Sequence, residues 1–249
     1  RLHAIIPPLA ADGTCISLRV LRSATKNFDN LISSGAIPDE VVGVLREMVR
    51  ARLAFLIVGG TGSGKTTLLN ALVGEMNPAQ RVLCVEDASE LAPQHPQVVR
   101  LVARAPNVEG VGEVPVRALV RQALRMRPDR IIVGEVRGAE VIDLLTALNT
   151  GHDGSAGTVH ANSTAEVPAR MEALAALGGM NRDALHSQLA AALQVVLGVA
   201  RTADGDRGLV EIGLVSRGDD GLVRVAPMWL RHSGFTSAKA VFDELVATR

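Results

Sequence analysis

Residues Gly59-Gly60-Thr61-Gly62-Ser63-Gly64-Lys65-Thr66 spell G-x-x-x-x-G-K-T between two apolar stretches, Ala54 to Val58 and Leu68 to Leu72. No other feature constrains the fold as tightly. A buried strand must run into a loop whose N–H groups converge, and a helix must begin where the loop ends. The glycines let the backbone curl so that successive N–H groups point at a phosphate. The helix N-terminus adds unpaired donors and partial positive charge. The expected ligand is a nucleoside triphosphate. Gly60, Thr61, Gly62, Ser63, Gly64, Lys65, Thr66 and Thr67 form the expected phosphate-binding set. In this motif the lysine reaches the β- and γ-phosphates, and the hydroxyl at the Thr66 position ligates Mg²⁺. Among 26 Lys and Arg residues only Lys26, Lys65 and Lys239 are lysine. A compact ammonium stands where such a loop requires one, in a chain that otherwise prefers arginine.

At 249 residues, 47% of them hydrophobic, the chain has ample material for one large domain. Its formal net charge is zero, so no bulk electrostatic attraction to nucleic acid or anionic lipid is expected. Four Phe, one Trp and no Tyr leave few platforms for base stacking. No stable nucleic-acid binding is therefore expected. Cys15 and Cys84 form no C-x-x-C pair and read as two buried, reduced thiols. The most apolar late stretch, Leu189 to Ala200, is too short to span a bilayer and contains Gln194. Any membrane association is expected to be peripheral, on the cytoplasmic side and through a partner.

The pattern along the chain predicts short buried strands alternating with helices. That is the signature of an α/β fold, a RecA-like domain with a largely parallel central sheet and flanking helices. Residues 1–24 read as two short strands around Asp12-Gly13, the remnant of an α+β N-terminal domain. Residues 25–37 read as a linker, and 38–249 as the RecA-like domain. Helices are expected from Pro38, after the loop to about Met76, from about Val114 to Pro128, and from Ala139 to Asn149. A capping box from Ser163 to Glu166 is expected to open the next helix, and residues 183–198 to form another. Residues 208–215 and 222–228 read as a hairpin turning at Asp220-Gly221.

In open α/β sheets, ligands bind beyond the carboxyl ends of the strands. Two further buried strands are expected to end in carboxylates. Arg81 to Val85 leads into Glu86-Asp87, and Arg130 to Gly134 into Glu135. Glu135 stands where an NTPase places the group that orients attacking water, with Gly134 leaving room for close approach. No Asp ends that strand, so Mg²⁺ falls to Thr66, phosphate and water. Glu86 and Asp87 read as a second carboxylate pair. His160, after Thr158 at a strand end, suits contact with a γ-phosphate better than His152, although an isolated histidine is commonly just packed or solvated. Arg121, Arg125, Arg127, Arg130 and Arg137 bracket the Glu135 strand. They read either as a solvated face or as charge for a transition state.

Taken in order, these motifs resemble the ATPases of type II and type IV secretion and of type IV pilus systems. The resemblance rests on residues 59–70, 85–91, 124–138, 149–155 and 158–163 and covers nearly the whole chain. It looks closest to the tight-adherence (Tad/Flp) pilus branch, the CpaF type. It implies a motor that hydrolyses ATP with Mg²⁺ to power pilus assembly or secretion. A type IV secretion or conjugation ATPase is the alternative, and a nucleic-acid translocase a more distant one. Lys65 and Thr66 would be the Walker A pair, and Glu135 the Walker B glutamate with a part in holding the metal. Glu86 would belong to the acidic box, and His152 and His160 to the histidine box. Arg1 and Arg19 look like the N-terminal arginines that close over the nucleotide. The resemblance also implies a homo-hexamer docked on an inner-membrane platform protein, with no membrane span of its own.

Overall fold

The computed structural model describes residues 2–18, 20, 26–107, 109–201 and 205–249. Its centre is the strand predicted before the glycine-rich loop, β3 (Phe55–Val58), buried throughout. Phe55 and Ile57 face one hydrophobic core, and Leu56 and Val58 the other. A strand covered on both faces must be apolar at every position, as parallel strands are. Around it stand β4 (Val82–Glu86), β5 (Val98–Val102), β6 (Arg130–Val136), β7 (Ala156–Val159) and β8 (Val195–Arg201). All six run parallel. Antiparallel β9 (Arg207–Arg217), β10 (Val223–Leu230) and the short β11 (Gly234–Phe235) extend one edge. Among the described residues the sheet order is β11-β10-β9-β8-β3-β7-β6-β4-β5.

Helices cover both faces. On one lie α1 (Phe28–Ser33), α2 (Asp39–Arg50), α3 (Lys65–Gly74) and α8 (Ala238–Ala247). On the other lie α4 (Val116–Ala123), α5 (Glu140–Leu148), α6 (Val167–Leu177) and α7 (Arg182–Ala192). The architecture is the expected α/β one with a mostly parallel sheet. The N-terminal strands β1 (Leu2–Ile5) and β2 (Cys15–Leu18) form a separate antiparallel pair with every residue exposed. No helix among the described residues is long and apolar enough to cross a membrane.

Several local expectations change. The polar stretch read as a linker contains α1, closed by a reciprocal capping box. Asn27 Oδ1 accepts from Asn30 N–H at 2.9 Å, and Asn27 N–H donates to Asn30 Oδ1 at 3.2 Å. Two buried side chains, Phe28 and Leu31, are enough to seat so short a helix. Residues 183–198 are not one helix: α7 ends at Ala192 and β8 starts at Val195. Gln194 makes the break, because its side-chain oxygen accepts the Ala54 N–H at 2.8 Å. The β-branched pair that follows then joins the sheet. The Ser163 box does not form. Glu166 instead accepts the Asn162 N–H at 3.1 Å, and α6 begins at Val167 with Pro168 in its first turn, where a missing N–H costs nothing. Cys84 is buried, which pushes its thiol to about 12, but Cys15 is exposed.

Arg130, one of the arginines read as either a solvated face or charge for a transition state, is neither: it lies at the amino edge of the sheet and is 1% exposed. Its guanidinium donates to Gln80 Oε1 (2.9 Å), Gly154 O (3.2 Å) and Val49 O (2.9 Å). Burial lowers its pKa to about 10, still well within the charged range at neutral pH. It ties the end of α2, the start of β6 and the turn before β7 together. Arg130→Met leaves those acceptors unpaired, so a loss of about 3 kcal/mol is expected, read as a lower denaturation midpoint at unchanged m-value.

Candidate nucleotide site

The carboxyl edge of the sheet opens into a cleft of about 870 Å³. Thr61 to Leu68 form its floor, and Glu90, Glu135 and Arg137 stand on one flank. The loop turns through Gly64, whose φ of 104° favours glycine, and α3 starts at the next residue. A Cβ at Gly59 would lie 2.2 Å from Val199 O, so only glycine lets the loop pass beside β8. Lys65 is 8% exposed, and its ammonium donates to Gly59 O at 2.8 Å and Gly60 O at 3.0 Å. Burial lowers its pKa, Glu135 opposes that shift, and Arg137 reinforces it. Ser63 Oγ is buried in the loop without a hydrogen-bond partner among the described residues. A glycine cradle, a held ammonium and an orphaned hydroxyl fit a bound phosphate chain.

Glu135 sits where the β6–β7 ladder breaks register between Val133 and Val136. Such irregularities often re-aim a side chain beside a functional site. Thr158 Oγ1 holds the freed carbonyl of Gly134 at 2.7 Å. The Glu135 carboxylate pairs with Arg137, which also reaches Asp87 Oδ2 at 3.3 Å. The hydrogen bond that Arg137 donates to Glu135 is the main reason the Arg137 pKa is raised. Arg121, by contrast, is spent on Asp143 of α5 at 2.7 Å, beside Arg117 at 2.6 Å.

The acidic segment differs from the sequence reading. Glu86 is 3% exposed and does not line the cleft. Its Oε1 accepts the N–H groups of Glu90 (3.1 Å) and Leu91 (2.7 Å), while Oε2 is buried without a partner. Burial raises its pKa, against the lowering effect of those two bonds. The room left by Gly134 is taken by this side chain, for a Cβ there would lie 2.8 Å from Glu86 Cγ. The carboxylate that reaches the cleft is Glu90, four residues on. It lies at the end of Glu86-Asp87-Ala88-Ser89-Glu90, where the loop folds back so that the Glu90 N–H meets Glu86 Oε1.

His160 follows β7, between the strand of the glycine-rich loop and that of Glu135, and is half-buried. It makes no side-chain hydrogen bond among the described residues. His152 precedes β7, at the opposite edge of the sheet, where its Nδ1 lies 3.2 Å from Ala147 O. Arg1 and Arg19 lie outside the described residues.

Residues 2–206 match the family model described as "Type II/IV secretion system protein". The chain belongs to this family. It is 60% identical over 249 residues to a candidate conjugal transfer protein of Mycobacterium tuberculosis (strain H37Rv), covering all of this chain and 70% of that one. It is 36% identical over 189 residues to the type IV secretion system protein PtlH of Bordetella pertussis, 66% of this chain and 55% of that. Among solved structures, the VirB11 ATPase of the Brucella suis type IV secretion system aligns with a TM-score of 0.62 at 25% identity, over 85% of this chain and 70% of that one. The pilus retraction motor PilT, solved with bound ADP, shares the fold with a TM-score of 0.61 at 24% identity, over 94% of this chain and 60% of that one.

The secretion-family site predicts a specific pH response. An uncharged Gln at position 86 keeps the acceptor for the Glu90 and Leu91 N–H groups. Because the folded-state pKa of Glu86 is raised, its charge destabilises the fold at neutral pH, and that penalty vanishes below the ordinary carboxylate value. Glu86→Gln is therefore expected to be at least as stable as wild type at pH 7. The difference should close as pH falls from the raised folded-state value of Glu86 and be gone by about 4 in denaturation curves.

Proposed function

We propose that this chain is the ATP-hydrolysing engine of a secretion-family machine. The observation that carries the reading is one cleft uniting the phosphate loop, Lys65 and Thr66 with Glu90, Glu135 and Arg137. The backbone N–H groups of residues 60–67 and the Lys65 ammonium bind and orient the triphosphate. Thr66 is the side chain suited to holding Mg²⁺, which, when bound, supplies charge neutralisation at the phosphates. Glu135 orients the attacking water, with Glu90 beside it, while Glu86 shapes the loop that presents Glu90. Arg137 holds Glu135 in reserve until the substrate's charge competes for it. His160 is placed to sense the γ-phosphate from between the two strands.

Two finer readings follow. The motifs favour a Tad/Flp-type pilus assembly motor. The names of the relatives favour conjugation or type IV secretion. Either implies a homo-hexamer, peripheral at the inner face of the cytoplasmic membrane and docked on a platform protein. Residues 1–24 would then belong to an N-terminal domain, joined through 25–37 to the motor domain at 38–249, with Arg1 and Arg19 closing over the nucleotide.

Glu135→Gln is expected to retain ATP binding and lower turnover by about 100-fold or more, measured by phosphate release. Equal turnover in the variant and wild type sinks the motor assignment. Lys65→Ala is expected to weaken ATP binding by about 100-fold, close to 2.7 kcal/mol, in equilibrium titrations. Single-stranded DNA is expected to leave turnover unchanged, and strong stimulation would point to a translocase instead.

A further inference from the structure

The nucleotide cleft has a second flank that the hydrolytic groups do not use. In the sheet order, β7, β6 and β4 lie on one side of β3, and β6 and β4 carry the strand-end carboxylates; β8 and β9 lie on the other. Arg201, the last residue of β8, and Arg207, the first of β9, stand opposite each other in register. Both line the cleft. The Cβ of Arg207 lies 3.9 Å from where a Cβ on Gly64 would stand, directly beside the start of α3.

Arg207 differs from an ordinary solvated arginine in two ways. Its backbone is fixed from behind. A Cβ on neighbouring Gly208 would meet Ala36 O at 2.7 Å and Arg231 Nη1 at 2.9 Å. The Leu209 N–H donates to Ala36 O at 2.9 Å, while Arg231 donates to Leu209 O at 2.9 Å and Gly35 O at 2.7 Å. Its guanidinium, moreover, makes no hydrogen bond or ion pair among the described residues. Of the other cations of the cleft, Lys65 is held by carbonyls, Arg137 by carboxylates and Arg201 by Gly205 O at 3.4 Å, while Lys26 stands before α1 and not on the sheet edge that carries Arg207. A rigidly mounted, uncommitted guanidinium beside a phosphate loop is a binding group without its anion.

The sheet order decides which part of the ligand it meets. The γ end must lie toward Glu90 and Glu135, so the rest of the nucleotide passes toward β8 and β9. There Leu31, Ile37, Val199 and Leu209 offer an apolar wall. We propose that Arg207 binds the α/β-diphosphate portion of the nucleotide, the part that hydrolysis leaves unchanged. This rests on the ATP reading above. Arg207 then contributes equally to ATP and ADP affinity, and its loss appears in KM far more than in kcat.

The test is equilibrium binding of ATP and ADP, with steady-state hydrolysis, for wild type, Lys65→Ala, Arg207→Ala and Arg207→Lys. Arg207→Ala is expected to weaken both nucleotides by about tenfold, in parallel, and to raise KM by a similar factor. Arg207→Lys is expected to recover part of that loss at wild-type melting temperature, which separates binding from folding. Unchanged affinity in both variants overturns the assignment. So does a loss confined to ATP, or a fall in kcat with affinity intact, because each places the arginine at the γ end. Wild-type protein that binds neither nucleotide overturns the ATP reading itself. Binding that Lys65→Ala abolishes and Arg207→Ala leaves intact overturns only the role of Arg207.

Discussion

The cleft depends on one constraint: parallel strands that are apolar where they are buried must end together at one edge. Burial on both faces leaves no position for a charge along β3, and β4 and β6 carry theirs only at their ends or on the sheet's margin. Polar chemistry is thereby pushed to the edge, and parallel pairing ensures that it is the same edge each time. The phosphate loop, the Glu86 segment and Glu135 converge because the ladders that precede them share a register, not because they attract one another. Left to electrostatics alone, Glu86, Glu90 and Glu135 would repel.

That repulsion is managed by burial and pairing. Glu86 is withdrawn beneath the surface and used as a backbone acceptor, which the absence of a side chain on Gly134 permits. Glu135 is paired with Arg137, which spans to Asp87. The withdrawn carboxylate is an uncomfortable group: one oxygen is unsatisfied and desolvation opposes its charge. Such discomfort persists only where surrounding packing over-determines the geometry, and the two bonds Glu86 accepts hold the backbone that carries Glu90.

Much of this was legible in the sequence. Apolar runs of four or five residues flanked by turn residues identified the parallel strands, and the loop motif identified where they lead. What escaped had a common cause: the deciding interactions are long-range. Gln194 ends α7 by bonding to Ala54, far away in the chain. The place of α1 is set by Phe28 and Leu31 meeting α3, not by helix propensity. Arg130 looked like a site residue because it adjoins the Glu135 strand. A strand has two ends, however, and Arg130 occupies the wrong one. Glu90, rather than Glu86, lines the cleft for a subtler reason. Strand-end position indicates which residues approach the edge, but the turn that follows decides which of them faces out.

The Arg130 knot has a mechanical side. Three rigid pieces share a single guanidinium, so the end of α2, β6 and the turn into β7 have little freedom to slide past one another. Strand β6 carries that knot at one end and Glu135 at the other. A β-strand is nearly inextensible along its axis. The knot and the carboxylate belong to one such continuous strand, which joins the helix that follows residues 25–37 to the nucleotide cleft through the Arg130 guanidinium and the covalent chain.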